Sequence, residues 1–337
     1  LEVGRYLKPF EKKFLEGFTT EFGYPVIVKG MNAVETAKVM AAHWGRYSSP
    51  VAIGLDASRF DQHVSVDALK WEHSWYNAKG DDQLRRLLSW QLVNKVTGIA
   101  RDGLVKYVVD GRRMSGDINT SLGNCIIMSS IVLAYLEHHQ VPAHLVNNGD
   151  DCVLILDEKD RPRLSMIDEW FTDFGFKLTQ EEPVYRLEQI EFCQCHPVCV
   201  GGEWRMVRNP RTAMSKDSVA IKSWRNRQEF DSWRNAISTC GISLTDGVPV
   251  WDSYYRNLWA PRPGRIDKCG MYYLSKGMTD KSTPVAASTR LSFYHAFGLT
   301  PDQQVAIEQS LPAVRWESAL PTLNSLTVAE RRVSPLL

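Results

Sequence analysis

The chain has 337 residues, 40 Lys and Arg against 39 Asp and Glu, and 44% apolar residues with 10% aromatic. This length suits about two domains, or one large subdivided domain, with a sizeable core. The apolar content and net charge of +1 exclude a disordered or solvating chain, and the scattered 22 Gly and 16 Pro exclude a collagen-like or low-complexity one.

The opening LEVGRYLKPFEKKF is charged and amphipathic and lacks a signal peptide; it does not begin with Met, as expected of a piece of a longer product. Ala33 to Trp44 has apolar residues at helical spacing. Val51 to Leu55 is a short apolar run, predicting a buried strand that delivers Asp56 at its end. Residues 62–95 read as helical. Leu104 to Val109 reads as a strand entering a tight turn at Asp110-Gly111. The loop Met114-Ser115-Gly116-Asp117 precedes a long helix pattern from Ile118 to Leu136. His144 to Val146 and Cys152 to Leu156 flank Asn147-Asn148-Gly149-Asp150-Asp151, a strong hairpin signal. Ser165 to Phe174 reads as a helix ended by Gly175. Beyond a soft boundary near residue 200 the pattern is irregular and helix-leaning, with turns at Pro210, Pro249, Pro261 and Pro263.

The longest near-apolar stretch, Cys125 to Leu136, falls short of the about 20 residues a membrane span needs. Seven Cys at irregular spacing suit reduced thiols better than a disulfide framework. Charge is unevenly spread: residues 203–290 hold 15 basic and 8 acidic residues and are rich in Trp and Tyr. Cations hold phosphates and rings stack on bases, so this segment suits nucleic acid; a solvated helical face with core aromatics explains it equally.

Two acidic sites stand out: Asp56, with Asp61 in DASRFD, and the pair Asp150-Asp151. Adjacent like charges repel, and a divalent cation relieves them. Mg²⁺ needs only one or two carboxylates because it also takes phosphate oxygens and water. Between these sites lie Ser115-Gly116, Thr120 and Asn124. Thr120 and Asn124 share a helix face. Helix-start chemistry accounts for Ser115; it does not account for Asn124 in an apolar helix, which a ligand-facing polar edge does.

DASRFDQHVS, MSGDINTSLGNCIIM and NNGDDCVLIL resemble, in order and spacing, motifs A, B and C of viral RNA-dependent RNA polymerases, and IEFCQ (Ile190 to Gln194) resembles motif E. Trp71-Glu72-His73, Asn209-Pro210-Arg211 to Lys216-Asp217 and VGRYLKPFE are closest to the tombusvirus family of plant positive-strand RNA viruses. The resemblance implies an α+β right-hand fold: a palm with an antiparallel sheet flanked by helices, partial fingers and a mostly helical thumb. It implies the end of the fingers at 1–45, palm at 46–75 and 112–199, a fingers insertion at 76–111 and thumb at 200–337. By motif, Asp56, Asp150 and Asp151 would be catalytic and hold Mg²⁺ or Mn²⁺, with Asp151 the weaker ligand. Asp61, Ser115, Thr120 and Asn124 would read the ribose 2′-hydroxyl of the incoming NTP, and Gly116 would keep the loop open beside nucleotide and template. Phe192, Cys193 and Gln194 would support the RNA 3′ end, and Arg208, Arg211 and Lys216 are candidates for RNA phosphates. Implied partners are template and product RNA, NTPs and a membrane-anchored viral replication protein in the host cytoplasm.

The family's basic motif F lies upstream of VGRYLKPFE and is not in this sequence, so an active fragment is in question; Arg59 is a lone cation, suited to a phosphate or a salt bridge. Lys177 is the only nearby Lys for the motif D general acid and lies early for it; a solvent-facing Lys is the alternative. Cys193-x-Cys195-His196-x-x-Cys199 carries zinc-ligand types but lacks two separated pairs. His63 and His73 read as structural. The competing functions are a reverse transcriptase, which Asp61 with Asn124 disfavours, and an inactive RNA-binding fragment.

Overall fold

The structure, a computed structural model, describes residues 2–219, 224, 226–260 and 275–316. The turns expected at Pro261 and Pro263 lie outside the described residues. The chain divides into two compact units, Leu1–Gly30 with Lys38–Cys193, and Met31–Ala37 with Gln194–Leu337.

The first elements are α1 (Glu2–Phe22), α2 (Ala33–Trp44), β1 (Pro50–Ala57), α3 (Phe60–His63), α4 (Val66–Tyr76), α5 (Asp82–Ser89), β2 (Val93–Ala100) and β3 (Gly103–Asp110). The span expected to be helical over 62–95 is therefore three helices and the start of a strand. Ser65 and Asp81 each accept a hydrogen bond from a first-turn N–H and so restart the helix. β2 and β3 pair in register through a tight turn at Arg101-Asp102, not at the Asp110-Gly111 end. Gly111 instead takes φ 67° where an added Cβ would sit 2.9 Å from the Val66 backbone nitrogen, so a close approach demands it.

Then follow α6 (Thr120–His138), β4 (Ala143–Asn148), β5 (Asp151–Asp157), α7 (Ile167–Asp173) and β6 (Leu178–Gln180). The central sheet has the order β4-β5-β1-β6 with antiparallel pairing throughout. β5 is buried continuously from Cys152 to Leu156, and β1 is buried on both faces, as inner strands covered on each side must be. Val51, Ile53, Leu154, Leu156, Met128 and Phe171 belong to one core that joins this sheet to α6 and α7. By length and composition α6 reaches the apolar content of a membrane span, which the run from Cys125 to Leu136 alone did not; 67% of that window is buried in the protein, as in a core helix.

The second unit holds β7 (Cys195–Val200), β8 (Glu203–Arg208), α8 (Pro210–Asp217), α9 (Arg227–Thr245), α10 (Trp251–Leu258), α11 (Ala287–Phe297) and α12 (Pro301–Ser310). The β7–β8 hairpin departs from the irregular pattern expected here. Pro197 and burial on both faces hide its alternation, and Gly201-Gly202, with φ 58° and 90°, makes its turn. Trp251, Tyr255, Val198, Val207 and Phe293 form its core. Among the described residues, none of the six cysteines is joined in a disulfide.

Candidate active site

β1 and β5 place Asp56 directly opposite Asp151, and opposed residues of an antiparallel pair project to the same sheet face. Asp150 stands in the two-residue turn between β4 and β5, where Gly149 takes φ 86°. All three aspartates are exposed. The turn is held from beneath. The Gly149 N–H donates to Cys125 Sγ at 3.0 Å, and Asn147 Nδ2 donates to the Gly149 carbonyl at 2.7 Å. Backbone bonds with Val26 and Val28 clamp Asn147 in turn. Partial burial, then Asp150, pushes the Asp151 carboxyl above its usual range, with Asp56 adding to the effect. Two further carboxylates that motif reading missed share this field: the Glu181 carboxyl is raised by partial burial, then by Glu191, Asp56 and Asp151. In the sequence Glu181 shows only as half of the pair Glu181-Glu182, which reads as solvated surface, and Glu191 lies inside IEFCQ without a charged neighbour.

A divalent cation fits this donor set, because crowded carboxylates repel one another and bound positive charge relieves them. Among the described residues no three His, Cys, Asp or Glu side chains are grouped tightly enough to hold an ion alone.

Two of the nucleotide-binding candidates, Ser115 and Asn124, converge on Asp61. Asn124 Nδ2 donates to Asp61 Oδ1 at 2.8 Å, and Ser115 Oγ donates to Asp61 Oδ2 at 3.3 Å. Asn124 is buried while Ser115 and Gly116 are exposed. The Thr120 hydroxyl is directed elsewhere: it donates to the carbonyls of Met114 and Asp117 at 2.8 and 2.9 Å and so shapes the loop. Among the described residues, no atom stands within 4 Å of a Cβ added to Gly116.

The RNA-contact candidates are placed unequally. Phe192 is a core side chain at 3% exposure and offers no surface. Cys193 Sγ accepts from Asn148 Nδ2 at 3.3 Å, and Cys193 and Gln194 both take left-handed φ, 51° and 59°. Arg208 is committed internally: it pairs with Asp217 through two nitrogens, donates to Tyr255 at 2.6 Å and lies over the Trp251 ring. Lys216 Nζ donates to Gln194 Oε1 at 3.0 Å. Arg211 is exposed with its guanidinium open. Arg59 is exposed, has φ 51°, and makes no ion pair among the described residues. Lys177 is exposed. The zinc reading fails on strand geometry: Cys195 and Cys199 lie on one face of β7 and the buried His196 on the other, against Phe297.

A family model described as viral RNA dependent RNA polymerase matches residues 1–319. The RNA-directed RNA polymerase of turnip crinkle virus is 45% identical over 323 residues, covering 92% of this chain and 41% of that protein. Those of oat chlorotic stunt virus and tomato bushy stunt virus (strain Cherry) are each 43% identical, covering 92% and 95% of this chain. The chain spans 44% and 40% of their lengths, less than half of the curated relatives it matches. With motif-bearing residues gathered around an antiparallel, palm-like sheet, the chain belongs to the viral RNA-dependent RNA polymerase family and is closely related to its tombusvirus-like members.

Proposed function

We propose that this chain carries the catalytic centre of template-directed RNA synthesis in viral genome replication. The supporting observation is the register that sets Asp56 opposite Asp151, next to Asp150 in the chain, together with the Asp61–Asn124 hydrogen bond. In this reading residues 46–75 and 112–199 are the palm, 1–45 and 76–111 belong to the fingers, and 200–337 is the thumb. The RNA 3′-hydroxyl attacks the α-phosphate of the NTP; the new P–O bond forms as the bond to pyrophosphate breaks, and the hydroxyl proton is released. Asp56, Asp150 and Asp151 would hold Mg²⁺, with Mn²⁺ as a substitute. When bound, the ions acidify the attacking hydroxyl and neutralise the leaving pyrophosphate. Asp61 accepts the ribose 2′-hydroxyl, Asn124 and Ser115 hold Asp61, and Gly116 leaves room for the nucleotide. The implied setting is the host cytoplasm, on membranes reached through a membrane-anchored viral replication protein.

The test is Mg²⁺-dependent incorporation of labelled ribonucleotides on an RNA template. It compares this chain with a chimera in which the chain replaces the matching region of the tomato bushy stunt virus polymerase. Ribonucleotide-only incorporation that Asp150→Ala reduces by several orders of magnitude supports the assignment. A folded chimera that binds RNA and incorporates nothing refutes it and leaves an RNA-binding role.

A further inference from the structure

Asn124 can serve Asp61 only if its amide is held one way round. Its Nδ2 must face Asp61 Oδ1, and its Oδ1 must therefore face another donor. That donor is Arg113, whose Nε lies 3.2 Å from Asn124 Oδ1. The backbone N–H of Arg113 also donates to the Asp61 carbonyl at 2.8 Å, so one residue fixes both members of the pair. Arg113 is itself fixed by Glu72, and both side chains are wholly buried. Every oxygen of Glu72 is engaged: Oε2 takes Arg113 Nη2, and Oε1 takes Arg113 Nη1 at 3.3 Å, Tyr76 Oη at 2.6 Å and Asn119 Nδ2 at 2.8 Å. Gln91 donates to Asn119 Oδ1 at 2.8 Å, and the ring of His73 meets Gln91 Oε1 at 3.1 Å.

The helix that carries Asn124 makes room for this pair. Gly123 precedes Asn124 in α6, and a Cβ there would stand 2.3 Å from Glu72 Oε1 and 2.4 Å from Arg113 Nη2. A glycine inside a helix costs stability relative to alanine. Here its missing Cβ is the slot in which the ion pair lies.

A buried ion pair is a weak source of net stability, because desolvation offsets its attraction. What it supplies is a fixed donor direction in a site of low dielectric. We infer that Arg113 and Glu72 are positioning residues for ribose selection: they lock the Asn124 amide so that Asp61 presents its acceptor to a 2′-hydroxyl. This rests on the polymerase reading above. It adds that discrimination between ribose and deoxyribose depends on residues that need not touch the nucleotide.

Two variants test it without changing formal charge. Arg113→Lys keeps the cation, but an ammonium lacks the fork that reaches Glu72 and Asn124 together. Gly123→Ala keeps every polar group and pushes the pair out of its slot. For each, kcat/KM is measured for a ribonucleoside triphosphate and its 2′-deoxy counterpart in the chimera, with a thermal melt as the folding control. The expected result is a loss of roughly 10- to 100-fold in ribonucleotide efficiency with a much smaller change for the deoxynucleotide. The preference for ribose then falls by roughly 5- to 50-fold. A purely structural role lowers both substrates by the same factor, and that result in a folded variant overturns the inference alone. Wild-type chimera that incorporates neither substrate overturns the polymerase reading and this inference with it.

Discussion

Cys125 offers a direct test of how the Asp150 turn is held. Its side chain is fully buried in α6, and its sulfur is the acceptor for the Gly149 N–H at 3.0 Å. Burial pushes the thiol up to about 12, so it stays protonated and neutral at physiological pH. Cys125→Ala removes the acceptor and leaves a buried N–H unpaired, which costs about 1–3 kcal/mol. Deleting a group about the size of a methylene adds ~1 kcal/mol. Sulfur is a weak acceptor, so the sum lies near the low end, about 2–3 kcal/mol. A domain of this size then melts roughly 5–10 °C lower. Asp150 gains freedom, and a displacement of about 1 Å at a reacting centre is worth about 100-fold in rate. Cys125→Ser keeps an acceptor of shorter reach and restores most of both losses. The assays are thermal melting and single-nucleotide incorporation at saturating NTP in the chimera. A Cys125→Ala variant with wild-type melting and wild-type rate refutes the claim that this sulfur holds the turn.

Two more predictions concern residues away from that turn. His43 is 2% exposed, its ring nitrogens have no hydrogen-bond partner among the described residues, and it stacks on His144 at 4.4 Å. Burial, then His144 and Arg46, lowers its pKa to about 4. Because the folded value lies below the unfolded one, the unfolded chain binds a proton that the fold refuses. Stability therefore falls as pH drops from 6.5 toward 4, by about 2 kcal/mol after allowing for partial solvation, and denaturant titrations of wild type and His43→Phe should diverge only in that window. Arg208→Ala should lower stability by about 1–2 kcal/mol through loss of the Asp217 and Tyr255 bonds, while leaving the salt dependence of RNA binding unchanged. Arg211→Ala should do the reverse, leaving the melt intact and reducing the salt slope by about 0.7.

Much of the site was legible because its signals are local. A buried apolar run ending at Asp56, an Asn-Asn-Gly-Asp-Asp hairpin and a polar edge on an apolar helix each depend on residues a few positions apart. Short-range backbone preference and periodicity suffice for those, and α2 falls on the predicted residues, Ala33–Trp44. Helix breaks between residues 62 and 95 are hidden in the sequence because caps at Ser65 and Asp81 interrupt a nearly continuous apolar period. The β7–β8 hairpin is not legible because burial of both faces erases alternation. Only the tertiary structure decided that Asp151 is the residue opposite Asp56, since register is set by pairing across nearly a hundred residues of intervening chain. It alone separated Arg208, paired with Asp217 and Tyr255, from the exposed Arg211. It also revealed Glu72 beneath Arg113, 41 positions apart, because a buried charge must find its partner in space and no local pattern records where.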